Sequence, residues 1–355
     1  METRNNKLDW VDAVKALCMI GVYILHSEAY CPSSGLSYGY ILSPFYVNAF
    51  FVVSGYLLFR RFMNHNKSII INNFQNNGRW EEYKHTLKNI IFRLMIPTML
   101  FSTLLYIPKV SFHGGALTLP QFLQEVPGGV SYWFTSALAV AQLVFLFLFL
   151  FKGRSVWFYV LISIGLFSLG LYLNGLEERT QAIDYFPWFY CTGLEYTLLM
   201  ALGGLYLRYE KFMESMMKVW GTVLASVLYI GLLVYGKEIS PLLMMGAGGR
   251  VNPPGILTVF CSVLLVFRVC KLLPHVRWLE YIGQNSIVFY FFSGVMPAMA
   301  GKLMVMAIPS GYGYVSTLAV AVFSLLLSTL ICEAINRYAP FMLDVRKLKL
   351  WNVKN

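Results

Sequence analysis

The sequence predicts an all-α, polytopic membrane protein with about ten transmembrane helices in one bundle and both termini in the cytoplasm. Of its 355 residues, 57% are hydrophobic and 13% are charged, whereas about 25% charged residues is usual in soluble proteins. The apolar residues form stretches of about twenty, the length at which a helix crosses a bilayer. Lysines and arginines concentrate in alternate segments between those stretches, which indicates a chain that crosses the membrane repeatedly.

Ten apolar stretches are predicted to span the membrane. They lie at 11–30, 44–62, 89–108, 132–151, 155–174, 187–207, 217–236, 254–270, 281–304 and 314–336. The sixth stretch contains Glu195, and Pro297 interrupts the ninth. Arg4 and Lys7 precede the first stretch, as in a signal peptide, but the stretch contains Lys15 and has no small-residue cleavage site. We therefore expect the first stretch to be retained as a span.

An even number of spans places both termini on one side of the membrane. All but five of the 28 lysines and arginines are predicted to lie on that side. The exceptions are Lys109, Arg179, Lys237, Arg250 and Lys302. Because cytoplasmic loops carry an excess of Lys and Arg, the basic side is predicted to be cytoplasmic, in a multi-pass protein of the plasma (inner) membrane. The net charge of +11 is then attributed to topology and anionic lipids, or in part to an anionic cytosolic ligand, and not to nucleic acid.

The domain organisation is predicted to be simple. No internal repeat and no low-complexity linker is evident, so residues 1–355 are predicted to form a single integral-membrane domain. That domain includes a long cytoplasmic loop at 60–88 and a basic C-terminal tail at 337–355. The six cysteines are scattered, without a CxxC pair or a His/Cys cluster. The sequence therefore predicts no metal site and no bound cofactor.

The first predicted span carries Asp12, Lys15 and His26 among apolar residues. A charged side chain inside a membrane costs roughly 2.5–3.5 kcal/mol even on mild scales, so such residues indicate a functional site. The eleven steps from Lys15 to His26 amount to three helical turns plus roughly 20°, so both project from one face, about 16 Å apart along the axis. Asp12 lies one turn below Lys15 and is predicted to orient it. The pattern predicts a site inside the bundle with its chemistry at His26.

Depth estimates along the spans, at about 1.5 Å per residue, predict two polar layers. The inner layer combines cationic, hydroxyl and amide groups from Lys15, Arg93, Ser54, Gly55, Tyr56 and Asn285. The outer layer contains His26, Glu195, Asn48 and Trp133. An anionic, phosphate-bearing donor is expected to dock at the inner layer, where Lys15 and Arg93 neutralise it. His26 would deprotonate the hydroxyl of a neutral acceptor that enters from outside, with Glu195 orienting the imidazole ring.

Simpler roles remain open for several of these residues. Arg93 stands near the start of a span and is also explained as a topology anchor. Ser54 and Gly55 are also explained as a close-packing site, because small residues let membrane helices approach each other. Trp133 is either an interfacial aromatic residue or a platform for the face of a sugar ring.

Two motifs in order resemble the integral-membrane acyltransferase-3 superfamily. The segment LDWVDAVKALCMIGVYILH is similar to the opening of that family, whose first span carries Arg or Lys, ten residues, and then His. The segment FYVNAFFVVSGYLLFRR resembles its second-span motif. Four later segments of the chain resemble further motifs of the family, namely FRLMIPTMLF, SYWFTSALAV, LGGLYLRYE and LEYIGQNSIVFY. One departure lies after the ninth-span motif, where many relatives carry a histidine and this chain reads Tyr290-Phe291-Phe292-Ser293.

The resemblance implies transfer of an acyl group, most often acetyl, from cytosolic acyl-CoA to a hydroxyl that is typically on a cell-surface glycan. In that setting His26 is the essential residue, Lys15 and Arg93 belong to the CoA side, and Ser54-Gly55-Tyr56 lines the acyl path. Either a sugar hydroxyl attacks directly with assistance from His26, or the acetyl group passes through an acetyl-His26 intermediate.

The sequence is therefore interpreted as a membrane O-acyltransferase that uses acetyl-CoA as co-substrate. Its expected partners are acetyl-CoA, a surface or lipid-linked carbohydrate acceptor and membrane lipids. A transporter or flippase for a lipid-linked sugar or small polar solute is the main alternative, since it would also need buried charges and interrupted spans. An inactive membrane scaffold is a third possibility. Consumption of acetyl-CoA excludes the transporter, and a requirement for His26 excludes the scaffold.

Overall fold

The computed structural model describes residues 9–31, 37–68, 75–113, 117–151, 154–180, 187–239, 253–307 and 313–347. These residues form α-helices and no strand. The helices are α1 (Asp9–Glu28), α2 (Tyr38–Tyr46), α3 (Asn48–Ser68), α4 (Gln75–Ile90), α5 (Ile96–His113), α6 (Leu119–Glu125), α7 (Trp133–Leu148), α8 (Val156–Thr180), α9 (Tyr190–Arg208), α10 (Glu210–Met216), α11 (Val219–Ile239), α12 (Pro253–Leu272), α13 (Arg277–Gln284), α14 (Ser286–Phe292), α15 (Val295–Ala307) and α16 (Tyr314–Tyr338). A π-helical turn at Ile91–Met95 joins α4 to α5. Short 3-10 turns lie at Pro187–Phe189, Pro340–Met342 and Val345–Lys347.

Within the described residues, six helical segments are long and apolar enough to cross a membrane. They are Asp9–Glu28, Tyr38–Met63, Trp80–Pro108, Val156–Gly175, Gly255–Leu272 and Tyr314–Tyr338. Two further pairs qualify only when each is counted as one bent span, namely Glu210–Met216 with Val219–Tyr235, bent by 80°, and Ser286–Phe292 with Val295–Met306, bent by 49°. The all-helical membrane class is confirmed. The predicted count of ten and the cytoplasmic side of the termini are not confirmed and stay predictions.

The structure has fewer candidate spans than the ten predicted, and the difference has local causes. Helix α7 has 16 residues, which at about 1.5 Å per residue fall short of a hydrocarbon layer of about 30 Å. The ninth predicted span, 281–304, is divided among α13, α14 and α15, and its breaks lie at Asn285 and after Phe292. The span is therefore interrupted near Pro297, but the break precedes the proline and lies at Ser293 and Gly294. Pro297 lies in the first turn of α15. A proline is tolerated there because the N–H groups of a first turn have no partner within the helix.

The residues group into two compact units. The first comprises 1–50 and 211–333, and α1 packs there against α2, α12, α13, α14 and α15. The Tyr23 hydroxyl lies 2.9 Å from the Phe289 carbonyl oxygen, to which it donates, and 2.6 Å from Ser328 Oγ. A Cβ on Gly283 would lie 2.0 Å from the carbonyl oxygen of Asp12, so this glycine permits α13 to lie directly against α1. These contacts fix the helix that carries the first predicted motif.

The second unit comprises 51–210 and 334–355. Helix α9 packs there against α7 and α8, and glycines on several helices make the approach close. A Cβ on Gly203 would lie 2.0 Å from the Val52 carbonyl oxygen, and one on Gly170 would lie 2.6 Å from the Cys191 carbonyl oxygen. Small residues at such crossings let helix backbones touch. The glycines of the LGGLYLRYE segment are therefore packing residues in this structure.

The prediction of a single domain stays a prediction, because the two units do not test it. The predicted cytoplasmic loop 60–88 is helical on both sides of residues 69–74, which lie outside the described residues. The predicted tail is described through Lys347, where two 3-10 turns follow α16. The last residues, 348–355, are likewise outside the described part of the chain.

Candidate functional site

Helix α1 carries three predicted site residues in the first unit. Lys15 Nζ lies 3.4 Å from Asp12 Oδ1, and the two side chains are 24% and 11% exposed. Since the residues are three apart, the helix itself brings them together. His26 is half-buried in the last turn. One unbroken helix thus holds a paired ammonium near its start and an imidazole near its end.

The end of α1 is fastened next to His26 by the carboxylate of Glu28. Glu28 accepts hydrogen bonds from Ser37 Oγ at 2.7 Å and from the backbone N–H groups of Tyr38 and Gly39, both at 2.9 Å. These donors begin α2, whose first N–H groups have no partner within the helix. A carboxylate at a helix N-terminus also interacts favourably with the helix dipole. Glu28 therefore fixes the backbone two residues beyond His26.

Asn48 and Asn285 lie in the same unit as α1. Asn285 joins α13 to α14 and donates from Nδ2 to the Tyr281 carbonyl oxygen at 2.9 Å. Asn48 is 1% exposed and donates from Nδ2 to the Pro44 carbonyl oxygen at 2.9 Å. Its Oδ1 is buried and has no hydrogen-bond partner among the described residues. A buried acceptor without a partner costs about 1–3 kcal/mol, so Asn48 keeps an amide oxygen ready for a donor.

Glu195 is 4% exposed and lies in α9 of the second unit. Its carboxylate accepts a hydrogen bond from Asn174 Nδ2 on α8. A Cβ on Gly170 would lie 2.8 Å from Glu195 Cγ, so the carboxylate side chain occupies space that this glycine leaves open. An acidic group buried this way needs a partner, and the amide of Asn174 provides one.

The Ser54-Gly55-Tyr56 segment lies in α3, in the second unit. A Cβ on Gly55 would lie 2.0 Å from the Met200 carbonyl oxygen, so the backbones of α3 and α9 touch at this position. The Tyr56 hydroxyl lies 3.3 and 3.4 Å from the two oxygens of the Glu210 carboxylate. The geometry at Gly55 is that of a packing site, which is the simpler of the two roles considered from sequence.

Trp133 begins α7 and belongs to a group of aromatic rings in the second unit. Its ring centroid lies 6.4 Å from that of Tyr196, and Tyr196 stacks on Phe51 at 4.1 Å. Immediately before α9, Trp188 and Phe189 both adopt left-handed backbone angles, with φ of 57° and 48°. Such conformations cost about 1–3 kcal/mol each and cluster at functional sites. The strained turn therefore marks the start of α9 as a constrained part of this unit.

Arg93 lies in the π-helical turn and is 62% exposed. Its Nε lies 3.7 Å from Asp344 Oδ2. Asp344 also accepts hydrogen bonds from Arg346 Nε at 2.8 Å and from Arg346 Nη2 at 2.7 Å. These hydrogen bonds from Arg346, together with the charges of Arg346 and Arg93, lower the pKa of the Asp344 carboxyl below its ordinary value. The predicted donor-side arginine is thus part of an ionic cluster with the C-terminal turns.

A cavity of about 310 Å³ lies near the start of α1 in the first unit. Asp9, Lys271, His275 and Glu280 contribute its ionisable walls. His275 Nε2 lies 3.3 Å from Glu280 Oε2, and His275 Nδ1 lies 3.8 Å from Asp9 Oδ2. Two carboxylates therefore face one imidazole in this wall.

The predicted site residues fall into two sets. Asp12, Lys15, His26, Asn48 and Asn285 belong to the first unit, and Ser54, Gly55, Tyr56, Arg93, Trp133 and Glu195 belong to the second. Within the first set, Lys15 contacts Asp12. Orientation of His26 by Glu195, and a shared donor layer of Lys15 and Arg93, stay predictions.

Sequence reasoning missed the residues that hold these groups in place. They are Tyr23, Glu28, Asn174, Asp344 and Arg346. A weak signal existed for Asn174, which is the amide at the end of the fifth predicted span. Polar residues at such positions face a partner inside the bundle. The other contacts depend on helices that come together only in three dimensions.

The helices and their apolar lengths define a multi-pass membrane protein. The model of the acyltransferase-3 family, described as an acyltransferase domain, matches residues 8–337. The match covers nearly the whole chain, so the chain belongs to the acyltransferase-3 family, and the resemblance seen in its motifs is confirmed. It is accordingly a membrane acyltransferase. No curated protein and no solved structure matches the chain significantly.

Proposed function

We propose that this chain is a membrane O-acyltransferase that moves acetyl from cytosolic acetyl-CoA to a hydroxyl of a cell-surface or lipid-linked carbohydrate. The observation that carries the proposal is α1, where Lys15 and His26 share one face of a continuous helix inside the region that the family model matches. The two groups are separated by about 16 Å along the axis, which suits a donor and an acceptor that approach from opposite sides. Both termini would then be cytoplasmic, in the plasma (inner) membrane.

His26 is proposed as the general base. It accepts the proton of the acceptor hydroxyl while the hydroxyl oxygen bonds to the carbonyl carbon of the thioester, and the carbon–sulfur bond then breaks. The proton passes from the imidazolium to the departing thiolate, so CoA leaves as a thiol. The carbonyl groups at the C-terminal end of α1 carry partial negative charge, which favours the transient imidazolium. General base assistance of this kind contributes about 10²–10⁴ in rate.

A relay through His26 fits the same position. The imidazole would attack the thioester carbon and release the thiolate, which takes the ring proton and leaves as CoA. The acceptor hydroxyl would then attack the acetyl-imidazole and return its proton to the ring. Glu195, buried and held by Asn174, is proposed to orient His26 in either scheme.

The remaining predicted residues are assigned to the two substrates. Lys15 and Arg93 are proposed to neutralise the phosphates of the donor, because an ammonium and a guanidinium both bind phosphate oxygens. Ser54, Tyr56 and Asn285 are proposed to line the acyl path, with Gly55 maintaining the close approach of α3 to α9. Asn48 and Trp133 are proposed for the acceptor side, since Asn48 Oδ1 is a buried acceptor in need of a donor and a tryptophan ring packs well against a sugar face.

The two bent helix pairs favour a transporter as the second candidate, because broken helices are common in transporters. The decisive experiment follows labelled acetyl from acetyl-CoA into carbohydrate, in membranes that contain the native acceptor. The unaltered chain, His26→Ala and the control His85→Ala would be compared at matched levels. His85 is an exposed residue of α4 and contacts Asn89.

We expect label in the carbohydrate fraction with the unaltered chain and with His85→Ala, and none with His26→Ala. Intact acetyl-CoA and no label from any protein would contradict the proposal and favour the transporter. Equal transfer by His26→Ala would leave an acyltransferase but remove His26 from its mechanism.

A further inference from the structure

The C-terminal turns create a cationic cluster that the sequence does not reveal. Asp344 lies between the 3-10 turns Pro340–Met342 and Val345–Lys347 and is 7% exposed. Its carboxylate accepts from the backbone N–H of Arg346 at 3.2 Å, from Arg346 Nε at 2.8 Å and from Arg346 Nη2 at 2.7 Å. A carboxylate with this many charge-assisted bonds fixes the guanidinium in one orientation.

Two contacts from the segment before α5 hold the same guanidinium. Arg346 Nη2 donates to Asn89 Oδ1 at 2.9 Å. The guanidinium carbon of Arg346 lies 5.7 Å from the centre of the Phe92 ring, within the range of a cation–π contact. The residues from Pro340 to Lys347 are therefore fastened to the π-helical turn, although more than 240 residues separate the two segments.

Arg93 brings a second guanidinium to the same carboxylate. It lies in the π-helical turn, and π-helical turns within α-helices are frequent at functional sites. Its Nε is 3.7 Å from Asp344 Oδ2, while its side chain is 62% exposed and that of Arg346 is 37% exposed. Two arginines thus flank one carboxylate, which leaves a net charge of about +1 at the surface of this unit.

Donors of both guanidiniums remain available. Among the described residues, Arg346 Nη1 and the two Nη groups of Arg93 make no hydrogen bond. Guanidinium groups bind phosphate with paired N–H donors in a fixed plane, and a preorganised guanidinium loses less entropy on binding. A phosphomonoester carries a charge of about −1.5 to −2 and three acceptor oxygens, which complements two exposed guanidiniums beside one carboxylate.

We propose that Arg93 and Arg346 form a clamp that binds a terminal phosphomonoester. Asp344 is a positioning residue that holds the two guanidinium groups in place. The ligand follows from the proposed function, since the nucleotide of CoA ends in such a group. The inference adds the C-terminal turns to the donor site and makes Arg346 a binding residue. Asp344 does not touch the ligand, because its oxygens are used by the two arginines.

The test measures binding of CoA and of CoA that lacks its 3′-phosphate to the full-length protein in phosphatidylcholine nanodiscs. We expect Arg346→Gln to weaken binding of CoA by about tenfold, the loss of one charge-assisted contact, and to leave binding of the dephosphorylated form unchanged. Arg346→Lys should weaken the binding of CoA less than Arg346→Gln does. Arg337→Gln is the matched control, because it removes an exposed arginine on α16 that contacts Tyr338 and not Asp344.

If Arg346→Gln weakens the binding of both ligands equally, or of neither, the proposed clamp is overturned. Arg346 and Asp344 would then form only a structural ion pair. An effect that appears only when phosphatidylglycerol is added would assign the arginines to lipid headgroups and overturn it as well. Failure of the unaltered chain to bind CoA would overturn both this inference and the proposed donor. Binding of CoA without any role for Arg346 would overturn the inference alone.

Discussion

Helices α1 and α9 each carry a buried carboxylate, Asp12 and Glu195, and they stabilise it in different ways. In α1, Lys15 pairs with Asp12 three residues earlier in the same helix. In α9, Glu195 is hydrogen-bonded by Asn174, which belongs to α8 and lies 21 residues earlier. The first arrangement follows from helix geometry alone. The second depends on Gly170, which lets the backbones of α8 and α9 approach closely.

A pair within one helix and a pair between two helices should respond differently to substitution. A helix keeps residues three apart close together regardless of its surroundings, so the Lys15–Asp12 contact tolerates changes elsewhere. The environment of Glu195 depends on the packing of several helices. Substitutions that change the packing around α9 should therefore affect stability, whereas Lys15→Ala should affect substrate affinity.

The largest effect is expected from Glu195→Gln. The amide retains an oxygen that accepts from Asn174 but loses the charge that would stabilise an imidazolium at His26, so acetyl transfer should fall about a hundredfold with little change in thermal stability. Rates and melting midpoints of the purified protein check this. Asn174→Ala should instead lower stability by about 1–3 kcal/mol, because it leaves the buried carboxylate without this donor. An active Glu195→Gln would restrict Glu195 to a structural role.

Gly55→Ala should destabilise the packing of α3 against α9. An added Cβ would lie 2.0 Å from the Met200 carbonyl oxygen, so the two backbones must separate. The expected cost is about 1–3 kcal/mol, read as a lower melting midpoint in detergent. Gly165→Ala in α8 is the control, since its added Cβ would have no atom of another described segment within 4 Å. Equal midpoints for the two variants would contradict the packing role and favour a role for Gly55 in the acyl path.

Lys15→Ala should raise the apparent KM for acetyl-CoA by about tenfold and leave kcat nearly unchanged, because it removes a charge that binds the phosphates in ground and transition states alike. Lys15→Arg should restore most of the affinity. Steady-state kinetics with varied acetyl-CoA measure both. An unchanged KM for Lys15→Ala would show that the pair with Asp12 only reduces the cost of burying the two charges.

The smallest effect concerns pH and the ion pairs of Asp344. Hydrogen bonds from Arg346 lower the pKa of this carboxyl below its ordinary value of 3.8. The unfolded chain therefore binds the proton more readily, and the stability that the carboxylate contributes is present above pH 3.8 and is lost as the pH falls through the lowered pKa. The free energies of unfolding of the unaltered protein and Asp344→Asn, measured by denaturant or thermal unfolding, should differ by less than about 1 kcal/mol near neutrality. The difference should shrink in acid, and a difference that grows in acid would contradict this assignment.

The sequence by itself determined the helical membrane class and the family, because apolar stretches and a fixed spacing such as that from Lys15 to His26 are properties of consecutive residues. It also placed Asp12 beside Lys15, since helix geometry fixes that distance. The sequence did not determine the number of membrane spans. A helix as short as α7, or a break such as the one at Asn285, depends on where a helix ends and not on hydropathy alone.

Only the tertiary structure decided which groups hold the site residues. Tyr23 meets Ser328 across 305 positions, and Arg346 meets Asn89 across 257. Gly55 fits against α9 because two backbones touch, a fact that its neighbours in the chain do not encode. The physical reason is common to all three cases. Hydropathy and helical spacing act over a few residues, whereas hydrogen bonds and close packing join whichever surfaces the folded helices bring together.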